Sequence, residues 1–132
     1  GAAVLDGKLY AVGGYNNDDD DDDLSSVERY DQAADAWETV APMAEGRATH
    51  AVAVLDGKLY AVGGYNNGYL SSVERYDPAT NAWEAVAPMA EARCDHAVAV
   101  LEGKLYAVGG YDGGGVLSSV ERYDPAADAW ET

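Results

Sequence analysis

Two stretches of the chain carry side chains that could bind metal ions. The first is a run of consecutive aspartates: Asp18, Asp19, Asp20, Asp21, Asp22 and Asp23. Hard cations such as Ca²⁺ take about six to eight oxygen ligands, which this run could offer. Adjacent carboxylates also repel one another, and a solvated loop is the usual outcome. A weak Ca²⁺ or other divalent-cation site, an acidic insertion without a defined site and an incidental loop all remain hypotheses.

The second stretch is Cys94-Asp95-His96. Alternation along a strand would place Cys94 and His96 on one side and Asp95 on the other. A Zn²⁺ or Ni²⁺ site there would need ligands from elsewhere in the chain. The sequence favours a simpler interpretation, in which His96 and the equivalent His50 open two strands near a central channel.

Catalytic arrangements are hard to place in this sequence. No Ser-His-Asp set, phosphate-binding loop or pair of carboxylates can be assigned a defined separation. The serine pairs recur with the repeats described below, which indicates a structural role. We therefore expect no enzyme activity and no required cofactor.

The charge balance narrows the class of partner. The formal net charge is −16, and only eight Lys and Arg residues are spread over 132 positions. Phosphate binding needs clustered cations, so nucleic acids and anionic membranes are disfavoured, whereas divalent cations and basic peptides are plausible partners. With one cysteine no intrachain disulfide can form. No apolar run approaches the roughly 18 residues that a membrane helix needs, and no targeting signal is recognisable. A soluble chain is expected, cytoplasmic when expressed recombinantly.

The frame that must position these residues repeats three times. One block recurs at residues 4–14, 54–64 and 100–110, and a second at 24–31, 70–77 and 117–124. A Trp follows the Tyr of the second block by seven residues each time. The repeats are nearly identical and the chain contains no Phe, which indicates a consensus chosen by design.

Each repeat predicts four short strands. In the second repeat these are residues 50–55, 58–64, 71–76 and 82–87, named a to d. Asp56-Gly57 suits a two-residue type I′ hairpin turn between a and b, and a longer turn joins c to d. No segment has the period of a helix. Units of this length with four strands are typical of propeller blades.

The specific resemblance is to the kelch repeat, which carries a Gly-Gly pair at the end of the second strand, then a Tyr and a Trp. The matching residues are Gly13-Gly14, Tyr30 and Trp37; Gly63-Gly64, Tyr76 and Trp83; Gly109-Gly110, Tyr123 and Trp130. The resemblance implies an all-β propeller of four-stranded antiparallel blades over residues 1–132, with blades at 1–43, 48–89 and 94–132. These Tyr and Trp residues are expected to pack the blades together.

Three blades are too few for a closed ring, which has about four to eight. A C2 homodimer that closes a six-bladed ring is the expected remedy. The alternative is that the chain is part of a longer six-repeat protein. The repeat symmetry resembles a designed, self-assembling kelch propeller.

Function is expected on one loop face. In kelch adaptors the d–a connectors and b–c loops bind target peptides. The resemblance implies such a role for Arg47, Thr49, Arg93, Asp95, Asn16, Asn17, Asn66, Asn67 and Tyr69. We expect a non-catalytic scaffold that displays its b–c loops, the first with the acidic insertion. The alternatives are a natural interaction domain that binds a peptide and, less favoured, a copper oxidase with a crosslinked Cys94.

Overall fold

A computed structural model describes residues 1–15 and 23–132. These residues form three four-stranded antiparallel sheets, each in chain order, and they include no helix that could span a membrane. Blade 1 contains β1 (Ala2–Leu5), β2 (Lys8–Tyr15), β3 (Asp23–Asp31) and β4 (Ala36–Val40). Blade 2 contains β5 (Ala51–Leu55), β6 (Lys58–Tyr65), β7 (Tyr69–Asp77) and β8 (Ala82–Val86). Blade 3 contains β9 (Ala97–Leu101), β10 (Lys104–Val108), β11 (Val120–Asp124) and β12 (Ala129–Glu131). The all-β fold is thus confirmed.

The glycine pairs shape the end of the second strand in each blade. Gly63 and Gly64 have φ angles of 61° and 106°, a region that L side chains rarely adopt. A Cβ atom on Gly63 would lie 2.6 Å from the carbonyl oxygen of Arg93. The pair therefore lets the next connector approach the backbone, where the amide of Gly64 donates to that same carbonyl at 2.8 Å.

Two apolar clusters hold the blades together, and each is shared by adjacent sheets. The first joins Leu59, Ala61 and Tyr76 of blade 2 to a set from blade 1: Leu5, Tyr10, Val12, Val27, Val40 and Met43. The second repeats this arrangement between blades 2 and 3. We call the face of a blade that points toward the next blade its forward face, and the face that points toward the preceding blade its backward face; within the described chain these faces pack together twice.

The repeated Tyr and Trp residues lie on the backward faces. Their rings are 5.2–5.3 Å apart within each blade. Trp83 and Trp130 are half-buried against the preceding blade, and Tyr76 and Tyr123 are fully buried. Tyr30 and Trp37 have no preceding blade within the described chain, and the Trp37 side chain is 49% exposed. These two residues make no blade contact here because blade 1 is the first sheet.

A buried arginine clamps each connector to the following blade. The Nη1 of Arg47 donates to the carbonyl oxygens of Gly63 and Ser72 at 2.9 and 3.0 Å. Its Nη2 lies 2.9 Å from Oε2 of Glu74. Two backbone amides of the connector, those of Ala44 and Glu45, donate to the same carboxylate at 2.7 and 3.2 Å. The charge of the guanidinium is thus paired inside the interface, while its Nε has no hydrogen-bond partner within the described chain.

Arg93 and Glu121 repeat this clamp between blades 2 and 3 at 2.8 Å, and both side chains are fully buried. The expectation that Arg47 and Arg93 contact an outside partner is therefore wrong. Both are 0% exposed, because the strand-c glutamate and the carbonyls at the blade end draw the guanidinium groups inward. Burying a charge is tolerated only when it is paired.

Removing the charge of a strand-c glutamate should lower the free energy of unfolding only where that glutamate is paired with a buried arginine. We expect Glu121→Gln to lower the free energy of unfolding by about 3 kcal/mol, because it leaves a buried guanidinium uncompensated. The equivalent Glu28 of blade 1 is exposed and has no described partner, so Glu28→Gln should cost less than about 0.5 kcal/mol. Urea unfolding measures both, and equal losses would contradict the clamp.

Candidate functional site

The connectors and the b–c loops lie on the same face of the molecule. The amide of Ala48 donates to the carbonyl of Tyr65 at 3.0 Å, and the amide of Tyr65 donates back at 2.8 Å. Cys94 and Tyr111 form the same reciprocal pair in blade 3, at 3.0 and 2.9 Å. The connectors therefore pair with the chain just after β10 in blade 3 and at the end of β6 in blade 2. This is the loop face expected from the sequence.

An open cleft of about 540 Å³ crosses this face from blade 1 to blade 3. Its volume falls in the range of about 300–1,000 Å³ that is typical of ligand sites. Tyrosines dominate its wall. The lining residues are Tyr15, Asp23, Ala48, Thr49, Tyr65, Asn67, Tyr69, Cys94, Asp95 and Tyr111.

Three of the tyrosine rings contact one another edge to face. Tyr65 and Tyr69 have centroids 5.2 Å apart at 74°, and Tyr69 and Tyr111 have centroids 5.8 Å apart at 68°. Tyr69 also rests on Gly113 of the blade 3 loop, where a Cβ atom would lie 2.7 Å from its ring. The rings therefore brace each other across two blades while their outer parts stay exposed.

The electrostatics of the cleft favour cations. Asp23 and Asp95 line it, and no Lys or Arg is among its lining residues. Burial, together with the neighbouring Tyr111 hydroxyl, raises the pKa of Tyr69, so its phenol is neutral at neutral pH. Burial also raises the pKa of the Cys94 thiol, which argues against a reactive nucleophile.

Thr49 and Asp95 line the cleft, one on each connector. Both have left-handed backbones, with φ of 51° and 52°. This conformation is strained for a β-branched residue such as Thr. It is held by the amide of Asp95, which donates to the Thr49 carbonyl at 2.9 Å. This bond fastens the two connectors to each other at the cleft.

Four of the expected partner-binding residues line the cleft: Thr49, Asp95, Asn67 and Tyr69. Asn66 lies beside it, in a turn where its amide donates to Gly68 at 3.0 Å. Sequence reasoning missed Tyr15, Tyr65 and Tyr111. The available signal was their position, because each directly follows a Gly-Gly pair that directs the chain onto this face.

Of the acidic run, only Asp23 lies within the described residues. Asp23 begins β3 and lines the cleft. Asn16, Asn17 and Asp18, Asp19, Asp20, Asp21 and Asp22 lie outside the described residues. The cation-binding hypothesis for this run therefore stays a prediction.

His50 and His96 are mostly buried where the first strands of adjacent blades begin. Burial lowers the pKa of each to about 4, and the neighbouring Arg47 or Arg93 acts in the same direction. The carbonyls of Val12 and Val62 offset this only in part, and no ring nitrogen has a partner of good hydrogen-bond geometry within the described chain. Neither they nor Cys94 belong to any group of three metal-binding side chains among the described residues.

The stacked four-stranded sheets and their shared loop face are those of β-propeller blades. The chain belongs to the kelch-repeat family, because the Kelch motif matches residues 1–44, 46–90 and 92–132.

One curated relative matches a short stretch of the chain, and one solved structure matches its fold. Human Kelch-like protein 35 is 43% identical over 51 residues, which is 39% of this chain but only 8% of that protein. A solved structure titled "Structure of YjhT" superposes with a TM-score of 0.82 at 20% identity. It covers 98% of this chain and 48% of its own, and it shows the fold alone.

The histidines should make stability depend on pH. Unfolded histidine binds a proton near pH 6.5, whereas the folded residues bind one only near pH 4. The histidines' contribution to stability is therefore fully present above pH 6.5 and is lost as the pH falls towards 4. We expect His50→Gln to remove about 2 kcal/mol of this loss, measured by urea unfolding across that range. Carboxylates titrate in both chains and cancel in the comparison; identical pH profiles would contradict the assignment.

Proposed function

We propose that this chain is a non-catalytic binding scaffold that recognises a basic peptide in the tyrosine-lined cleft of its loop face. The observation that carries the proposal is the braced cluster of Tyr65, Tyr69 and Tyr111. Exposed tyrosines supply large contact area at low entropic cost, and they are enriched in protein-binding surfaces. The near identity of the repeats supports a consensus origin, in which the b–c loops hold the residues that differ between repeats.

The charge of the partner follows from the lining. Asp23 and Asp95 contribute negative potential, and the chain as a whole has a net charge of −16. Arg47 and Arg93, which could have attracted acidic groups, are enclosed in the blade interfaces. A Lys or Arg side chain laid over a tyrosine face would gain both cation–π and Coulomb attraction.

Selection of random 12-residue peptides displayed on phage tests this function. Recovered peptides should be enriched in Lys and Arg and should bind less tightly as salt rises. Tyr69→Ala should weaken binding about thirtyfold, the effect expected for a central aromatic contact.

A matched pair of charge changes locates the site. Asp95→Asn in the cleft should lower affinity, whereas Asp6→Asn, in a hairpin turn on the opposite loop face, should not. Peptides that bind equally well to the Tyr69→Ala chain would reject the cleft as the binding site.

We also propose that two copies close a six-bladed ring. The forward face of blade 3 is bare, and Leu101 is 60% exposed where its equivalents Leu5 and Leu55 are 3% and 4%. The backward face of blade 1 is bare in the complementary way, with Leu9 at 39% where Leu59 and Leu105 are at 0%. Forward and backward faces already pack together twice within the chain, so the same contact between copies would cover both.

Light scattering tests the ring. We expect twice the chain mass of 13.9 kDa, and Leu101→Asp should return the protein to monomers because it puts a charge into the apolar interface. Val116→Asp is the control, since Val116 is an exposed apolar residue of a loop. A monomer at high concentration, or an open series of larger species, would contradict ring closure.

A further inference from the structure

Each connector is received by the next blade at two points. At the first point, Ala41 is held through its own peptide groups. Its carbonyl accepts from Nε1 of Trp83 at 2.8 Å, and its amide donates to Oδ1 of Asn81 at 3.0 Å. Ala87 is held in the same way by Trp130 and Asp128, at 2.8 and 3.0 Å.

The second point is the strand-c carboxylate. Glu74 accepts two connector amides and the Arg47 guanidinium, and Glu121 does the same for the second connector, with Ala90, Glu91 and Arg93. Both connectors have the sequence Val-Ala-Pro-Met-Ala-Glu-x-Arg, at residues 40–47 and 86–93. The same connector atoms therefore bond the same receiving groups twice inside this chain.

Blade 1 carries the same receiving groups, but no connector of the described chain contacts them. Glu28, Asp35 and Trp37, which we call the blade 1 receptor, are the equivalents of Glu74, Asn81 and Trp83 by strand register. Glu28 and Trp37 are exposed, and no described residue bonds the Glu28 carboxylate or the Trp37 Nε1.

Two residues of the receptor, Asp35 and Trp37, already have the arrangement of their occupied equivalents. The hydroxyl of Tyr30 donates to Oδ1 of Asp35 at 2.5 Å, as Tyr76 does to Asn81 at 2.7 Å. The backbone φ is 49° at Asp35 and 50° at Asn81. The Tyr30–Trp37 centroid distance of 5.3 Å equals that of the occupied Tyr76–Trp83 pair. Binding would therefore need little reorganisation, which lowers its entropic cost.

We propose that the blade 1 receptor binds an extended peptide segment of the type Ala-Pro-Met-Ala-Glu-x-Arg, supplied in trans. The Ala would bond Trp37 and Asp35, and the two amides and the arginine would bond Glu28. The proline keeps the preceding Ala extended, so the free peptide is partly preorganised.

Arginine is specified over lysine. One guanidinium nitrogen of Arg47 reaches two carbonyl oxygens while the other reaches the carboxylate. The ammonium of lysine is a single point and cannot span these acceptors.

The receptor belongs to blade 1 alone, so this proposal does not depend on ring closure. Ring closure would strengthen binding, because each connector also bonds the c strand of its own blade: the amides of Met43 and Arg47 donate to Ser25 and Leu24 at 2.9 and 3.0 Å. The c strand of blade 3 in a second copy would supply the equivalent carbonyls at the seam.

The test uses a synthetic peptide of residues 40–48, blocked at both ends, and the indole N–H signals of the three tryptophans in ¹⁵N NMR spectra. One signal, assigned by Trp37→Phe, should shift and saturate at one peptide per chain. The signals of Trp83 and Trp130 should stay in place, because their bonds are already made. No shift at millimolar peptide, or equal shifts of all three signals, would overturn the proposal.

Paired variants establish the chemistry. Glu28→Gln in the protein and Arg→Lys in the peptide should each weaken binding at least about tenfold, the loss typical of a broken charge-assisted bond. Asp56→Asn, which removes one charge in a hairpin turn that tolerates Asn, should leave affinity unchanged. The proposal is wrong if Glu28→Gln leaves the affinity for the peptide unchanged. An unchanged urea midpoint of the Glu28→Gln chain serves as the control that it is folded.

Leu101→Asp separates the receptor from the ring. If this chain is monomeric and still shifts the Trp37 signal, the receptor acts on its own. If wild-type dimers fail to bind the peptide and the monomeric variant fails as well, the receptor proposal is wrong while ring closure stands.

Discussion

The buried arginine–glutamate clamp is the interaction on which the rest of this molecule depends. Antiparallel sheets can stack through apolar contact alone, but such contact is not directional. The bonds from Arg47 to Gly63, Ser72 and Glu74 fix the position of the connector on the next blade. Because breaking a buried charge pair is costly, few alternative registers between blades can compete with this one.

The cleft follows from the clamps. Ala48 and Cys94 come directly after the two clamped arginines. Each forms a backbone pair with the tyrosine that follows the Gly-Gly pair of the next blade. Clamping the connectors therefore also positions Tyr65 and Tyr111 on the loop face. Tyr69, the first residue of β7, contacts both of their rings. The residues of the loop face are in this way positioned by the same contacts that join the blades.

The sequence predicted the frame well because its signals are local. Asp-Gly turns, glycine pairs and the regular Tyr–Trp spacing each act within a few residues, and the strands follow from them. The clamps could not be found in that way. Charged side chains are usually exposed, so Arg47 and Arg93 looked like surface residues. The overlooked signal was joint recurrence: an arginine ends each connector, and a glutamate occupies the same place in β3, β7 and β11. Tyr15, Tyr65 and Tyr111 were missed because tyrosines inside repeats usually pack the core.

Nearly identical repeats nevertheless occupy different environments. Glu28, Glu74 and Glu121 share one register position, yet only the last two are buried, because only blades 2 and 3 follow a connector within the described chain. In a stack of repeats, stability is approximately a sum of repeat terms and nearest-neighbour interfaces. Blade 2 has two such interfaces and the outer blades have one each. Local opening should therefore begin at blades 1 and 3, each of which has one face without a neighbouring blade within the described chain.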